Sequence, residues 1–340
     1  LTYHSANHRL MCHYCGFSQS APSRCPKCSG PLKTIGTGTQ KVQQELMELF
    51  RGAGVALITP FHEDKSVNYE VLEQLVERQI THGTDAIIVC GSTGEPATMS
   101  EEKRLSVIAR VVASTKHRIP VIAGTGSNTT EGAAAFTRKV ASLGVDGMLV
   151  VTPYYNKATQ NGLYEHYRLI AAQTDLPIIM YNVPSRTGCN LLPETAVRIA
   201  EDCPNVIGIK EASGNLSQVA RLARLAGNQL SIYSGNDDQI LPVLSLGGVG
   251  VISVLSNVVP EETHNMVHDF LNGDLITAKN LQLDYLDLVD ALFSEVNPIP
   301  VKAAMNLLGY NVGGLRLPLT ELEEPHCREL ERVLRHHGLM

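Results

Sequence analysis

From Gly54 onward the chain repeats one pattern eight times: a short apolar run, then a longer stretch with apolar residues on one helical face. The runs are residues 55–59, 86–89, 121–124, 147–151, 178–182, 206–210, 230–234 and 250–253. Between them, residues 69–82 typify the helical stretches, with Leu72, Leu75, Val76, Gln79 and Ile80 at i, i+3, i+4 spacing. Eight strand–helix repeats predict an α/β chain folded as a (β/α)8 TIM barrel, although a doubly wound sheet shows the same alternation. Three further helices are expected beyond the last repeat, over residues 275–294, 299–308 and 320–335. The predicted organisation is a small separate segment with a linker helix over 1–50, the barrel over 51–275 and a helical extension over 276–340.

Charge and hydrophobicity narrow the class. Hydrophobic residues make up 44% and charged residues 18%, as in a soluble globular protein. No apolar run is long enough to span a membrane, and no basic stretch leads into an apolar one at the start, so a cytoplasmic address is the default. Residues 1–50 carry five Lys/Arg against two acids, whereas the remaining 23 bases and 32 acids give residues 51–340 a net charge of −9. By charge, that larger part is a poor nucleic-acid binder.

Four of the eight cysteines crowd the basic segment as C-x2-C-x9-C-x2-C: Cys12, Cys15, Cys25 and Cys28. Two knuckles of paired thiolates can close a tetrahedral site, and Gly16 and Gly30 suit their turns, so a structural Zn2+ is expected. A disulfide-linked or metal-free loop is the alternative. Four thiolates leave no open position for a catalytic zinc. The segment resembles the zinc ribbon of primosomal DNA helicases, including the residues from Ile35 to Phe50. No G-x4-G-K-[ST] nucleotide motif accompanies it. A nucleic-acid-binding module with the barrel as passenger is therefore a secondary reading, testable by salt-dependent binding. Cys90, Cys189, Cys203 and Cys327 have no metal-like spacing and are expected to be reduced.

In a barrel the loops after the strand C-termini build the active site. The second strand ends in Gly91-Ser92-Thr93-Gly94-Glu95, and the fourth in Thr152-Pro153-Tyr154-Tyr155-Asn156. The fifth ends in Tyr181-Asn182-Val183-Pro184-Ser185-Arg186-Thr187-Gly188, and the sixth in Gly208-Ile209-Lys210-Glu211. Lys210 closes an apolar strand, where desolvation favours the neutral amine that attacks a carbonyl. Taken alone, it could equally be a strand-end lysine paired with Glu211.

Jointly these motifs resemble the dihydrodipicolinate synthase and N-acetylneuraminate lyase family of pyruvate-dependent class I aldolases, over essentially all of residues 51–340. The resemblance implies that Lys210 forms an imine with pyruvate and that Tyr181 and Ser92 relay protons. It implies that Thr93 anchors the pyruvate carboxylate, and that Tyr155 is a relay tyrosine lent to a neighbouring subunit. A homo-oligomer follows, a dimer at least and commonly a tetramer. Gly235 and Ile252 match positions whose carbonyls line the site. No metal or organic cofactor is implied for catalysis.

Arg186, in Y-N-V-P-x-R-T-G, matches the synthase branch, in which it receives the carboxylate of L-aspartate 4-semialdehyde. The implied reaction is condensation of that aldehyde with pyruvate to 4-hydroxy-tetrahydrodipicolinate, in lysine (diaminopimelate) biosynthesis. The alternative is another pyruvate aldolase, an N-acetylneuraminate or sugar-acid lyase. Lysine-inhibited relatives carry an effector site that Asn128 and Tyr154 match, while Pro96, Glu101, Arg104 and Gly132 depart from it. An added arginine and a lost carboxylate should repel a cationic effector, so weak inhibition by lysine is expected.

Overall fold

The computed structural model describes residues 49–340 throughout and, ahead of them, the backbone of three short strands, β1 (Thr2–His4), β2 (Arg9–Met11) and β3 (Ser18–Ser20). Two compact units divide between Glu48 and Leu49. In the first, the three strands form an antiparallel sheet in the order β1-β2-β3. Cys12, Cys15, Cys25 and Cys28, with the expected zinc site and linker helix, lie outside the described residues.

The second unit is a closed parallel barrel of β4 (Gly52–Ala56), β5 (Ala86–Val89), β6 (Val121–Gly124), β7 (Gly147–Val151), β8 (Ile178–Asn182), β9 (Val206–Glu211), β10 (Ser231–Ser234) and β11 (Gly250–Ser253). Closure decides between the two folds that the repeat pattern allowed. β11 pairs with β4, Gly250 opposite Gly52, which an open doubly wound sheet does not do. The helix after β4, Tyr69–Thr81, begins where the Asn68 side chain accepts from the Val71 amide.

Side-chain alternation divides the core into two shells. Ile87, Val89, Val121, Met148, Val150, Ile178, Met180 and Ile209 join the helices in one cluster. Ala86, Ile88, Ile122, Leu149, Ile179, Tyr181 and Ile252 fill the barrel interior. Successive residues point to opposite faces, so both sides of every strand are buried. Phe50 adds to the inner cluster, its ring stacked on Tyr233 at 4.5 Å while its carbonyl accepts from the Tyr233 hydroxyl at 2.7 Å.

Three elements differ from the sequence reading by more than one residue. The first strand is Gly52–Ala56, not 55–59. The apolar run of 55–58 continues beyond the ladder, where Ile58 donates to the Asn257 side chain and the Thr59 hydroxyl to the Gly94 carbonyl. Its true start is glycine-rich because strand backbones crowd there: a Cβ on Gly250 would lie 2.0 Å from the Gly52 carbonyl oxygen. The helix expected over 275–294 breaks at Tyr285 into Leu275–Asp284 and Leu286–Leu292, with the Tyr285 ring stacked on His337. The last helix starts at Glu324 because Pro325 suits its first turn, while residues 320–323 stay outside it. Among the described residues Cys90, Cys189 and Cys203 are buried and free, and no helix is long and apolar enough to cross a membrane.

The extension is tied to the barrel by a buried ion pair. Lys302, on the helix Ile299–Leu307, lies 3.0 Å from the Glu95 carboxylate and donates to the Thr59 and Gly314 carbonyls. Both side chains are 1% exposed, so neither charge has water as an alternative partner. Lys302→Met should lower the unfolding free energy by about 3–5 kcal/mol, the usual cost of stranding one buried charge. Pairing it with Glu95→Gln should recover part of that loss, as urea denaturation would show.

Candidate active site

At the C-terminal ends of the strands a cavity of about 360 Å3 opens among Ser92, Tyr154, Tyr181, Arg186, Val296 and Asn297. Lys210 packs against Tyr181, one of the residues that line it. On β9 the alternation that turns Ile209 to the helices turns Lys210 into the barrel, opposite Tyr181 of β8. Its ammonium sits 4.6 Å from the centre of the Tyr181 ring and the residue is 5% exposed. Burial lowers its pKa to about 8; the Asp237 carboxylate opposes that shift and the Arg186 cation adds to it. Among the described residues no carboxylate forms an ion pair with it.

Glu211 faces the other way. Its carboxylate accepts from Asn182 Nδ2 at 3.0 Å, the Ser213 amide at 2.8 Å and Gln218 Nε2 at 3.3 Å. A strand cannot present neighbouring side chains to one face, so the Lys–Glu pairing left open by the sequence does not form.

Ser92, in the turn Ser92–Gly94, shares the cavity wall with the Tyr181 phenol. Burial raises the Tyr181 pKa, offset by the Arg186 cation and by the nearby Ser92 hydroxyl. Thr93 is buried, and its Oγ1 accepts from Asn297 Nδ2 at 2.9 Å. Asn297 in turn offers its carbonyl to Arg186 Nη2 at 3.1 Å. Gly235 provides room for the lysine, since a Cβ there would come within 3.0 Å of Lys210 Cε. Ile252 lies in the interior cluster with Tyr181.

Tyr155 is not brought to this cavity. It is 87% exposed at φ +75°, with its amide donating to the Thr187 carbonyl. Arg104 and Pro96 share the cavity wall with Tyr154. The Arg104 guanidinium rests 3.8 Å from the centre of the Phe136 ring, and Glu101 is ion-paired with Lys139.

Two site residues escaped the sequence reading. Asn297 marks a turn by its Asn-Pro step, yet nothing local signals a partner 204 positions away. Asp237 follows the seventh barrel strand and was open to the same strand-end search. It is buried, and its Oδ2 accepts from the Val254 and Leu255 amides, both at 3.0 Å.

Comparisons with known proteins agree on one family. Residues 49–337 match the dihydrodipicolinate synthetase family. The 4-hydroxy-tetrahydrodipicolinate synthase of Lachnoclostridium phytofermentans is 53% identical over 86% of this chain and 100% of its own length. That of Caldicellulosiruptor bescii is 55% identical over 86% and 99%. The crystal structure of dihydrodipicolinate synthase from Thermotoga maritima superposes with a TM-score of 0.84 at 44% identity, covering 86% of this chain and all of that one. The matched region begins at the boundary between the two compact units.

The lysine environment sets a pH signature. The neutral amine fraction rises as pH climbs through the folded pKa, so trapping of a small ketone on Lys210 by cyanoborohydride should be half-maximal near pH 8. At pH 6 the initial rate should be about 100-fold below the plateau. A midpoint near that of a free lysine would contradict burial as the cause, and Lys210→Ala should trap nothing.

Proposed function

The chain belongs to the dihydrodipicolinate synthetase family, and on that premise we propose that it condenses pyruvate with L-aspartate 4-semialdehyde to 4-hydroxy-tetrahydrodipicolinate, as a lyase of lysine biosynthesis. The observation that carries this reading is Lys210, buried beneath Tyr181 and free of any ion pair among the described residues.

The neutral Lys210 amine adds to the pyruvate ketone, and the carbinolamine loses water to give an imine. Tyr181, with Ser92 beside it in the cavity wall, passes the protons that these steps require. Loss of a C3 proton gives an enamine, which attacks the semialdehyde carbonyl. The substrate's own amine then displaces Lys210 from the imine carbon, closing the ring and freeing the enzyme; the net by-product is one water. No cofactor is required. Thr93 anchors the pyruvate carboxylate, and the Gly235 and Ile252 carbonyls line the lysine's surroundings. Arg186, held by the Asn297 carbonyl, receives the semialdehyde carboxylate.

The exposure of Tyr155 supports its entry into the site of a second copy, which makes the functional unit a dimer or tetramer. We place the enzyme in the cytoplasm. The C-x2-C-x9-C-x2-C spacing supports a structural Zn2+ on Cys12, Cys15, Cys25 and Cys28.

Tyr181→Phe should reduce kcat by about 10²–10⁴, the range for losing a positioned proton donor. Arg186→Ala should instead raise KM for the semialdehyde far more than for pyruvate, and equal rises would assign Arg186 to neither substrate. The wall formed by Arg104 beside Tyr154 disfavours a cationic effector. Steady-state assays should therefore give an inhibition constant for lysine above about 1 mM, a binding energy near 4 kcal/mol.

A further inference from the structure

A second constellation of chemistry-bearing side chains lies at the opposite end of the barrel from the cavity. Asp85 immediately precedes β5, and His264 and His268 stand one turn apart on the helix Pro260–Asn272, after the last barrel strand. His264 Nδ1 is 3.1 Å from Asp85 Oδ2, and His268 Nε2 is 3.0 Å from Asp85 Oδ1. The two imidazoles stack with centroids 4.0 Å apart, which turns both rings to the same carboxylate. All three donors lie within 4.8 Å of one another.

We propose that Asp85, His264 and His268 form a binding site for a divalent transition-metal cation such as Zn2+. Histidines at i and i+4 on a helix present two nitrogens to one point, and a carboxylate completes a three-ligand set. Ligands about 2.0–2.1 Å from a tetrahedral ion stand roughly 3.3 Å apart, close to the 3.0 and 3.1 Å that separate Asp85 from the two imidazoles. The side chains are 19–33% exposed, which leaves solvent access for an ion and for a water as fourth ligand. Gly52 borders the cluster: a Cβ there would lie 2.1 Å from Asp85 Oδ2 and 2.8 Å from His268 Nε2. Asp85 Oδ2 also accepts from the Ala53 amide at 2.8 Å. A bound ion would clip the helix Pro260–Asn272 to the starts of β4 and β5, across the seam where the barrel closes. Its role is structural, and it is independent of the aldol chemistry.

The test compares the full-length protein with a His264→Gln/His268→Gln variant, both stripped by a chelator and then dialysed against Zn2+. Any zinc held by the N-terminal cysteines is common to both. The intact protein should retain one zinc per chain more than the variant, with unchanged turnover in both. Zinc should raise the melting temperature of the intact protein by more than that of the variant. Single substitutions should each weaken this site by more than about 100-fold, since even groups behind the ligands are worth that much. Equal zinc content would overturn the proposal and leave a hydrogen-bonded cluster. Zinc-edge anomalous diffraction from intact crystals avoids any folding defect of the variants: a peak among the three side chains supports the site, and its absence from a zinc-soaked crystal overturns it.

Discussion

The Lys302–Glu95 ion pair holds the barrel's most important loop in place from outside the barrel. Glu95 sits in the left-handed region at φ 53°, directly after the turn that carries Ser92 and Thr93. One carboxylate oxygen takes the Lys302 ammonium and the other the Arg316 amide, so the extension grips the loop at two points. A third grip runs from Asn297 to Thr93, and the same asparagine steadies Arg186. The helices after the eighth repeat thus belong to the site as much as the strand ends do. Such a pair is costly to bury, and its value here is positional: it leaves the loop one low-energy arrangement.

The reactive lysine depends on an opposite imbalance. An ammonium in the barrel interior loses its hydration, and with a pKa moved from 10.5 to about 8 it costs roughly 3 kcal/mol at neutral pH. That cost is complete below pH 8 and fades as pH rises toward 10.5, where the unfolded chain's lysine also loses its proton. Asp237 limits the penalty without abolishing it, because its Oδ2 is already engaged by two backbone amides. Gly235 contributes by leaving volume for the side chain. The interior therefore trades stability for a nucleophile.

What was legible in the sequence was whatever has a local period. Seven barrel strands begin within one residue of the apolar runs that announced them, because a strand buried on both faces must be apolar along its length. The first strand was misplaced because glycine carries no hydropathy signal, and Gly52 and Gly54 are set by backbone approach instead. Lys210 and Tyr181 were legible as strand-end residues, and the period of two decided which way the lysine faces. Asn297, the partners of Glu95 and the His264–His268–Asp85 cluster were not legible. Each depends on residues far apart in sequence, which no window of the chain brings together.

The pairing of Gly52 with Gly250 bears on how the protein is made. The first barrel strand cannot acquire its second neighbour until the eighth has left the ribosome, roughly 10–40 s later at ordinary rates of synthesis. Throughout that interval one edge of a growing parallel sheet stays unpaired. Glycine at the waiting edge offers little side chain to fix a register, so its pairing stays weakly specified until the eighth strand arrives. The same residues that let the barrel close tightly therefore leave its first edge dependent on the last strand for its register.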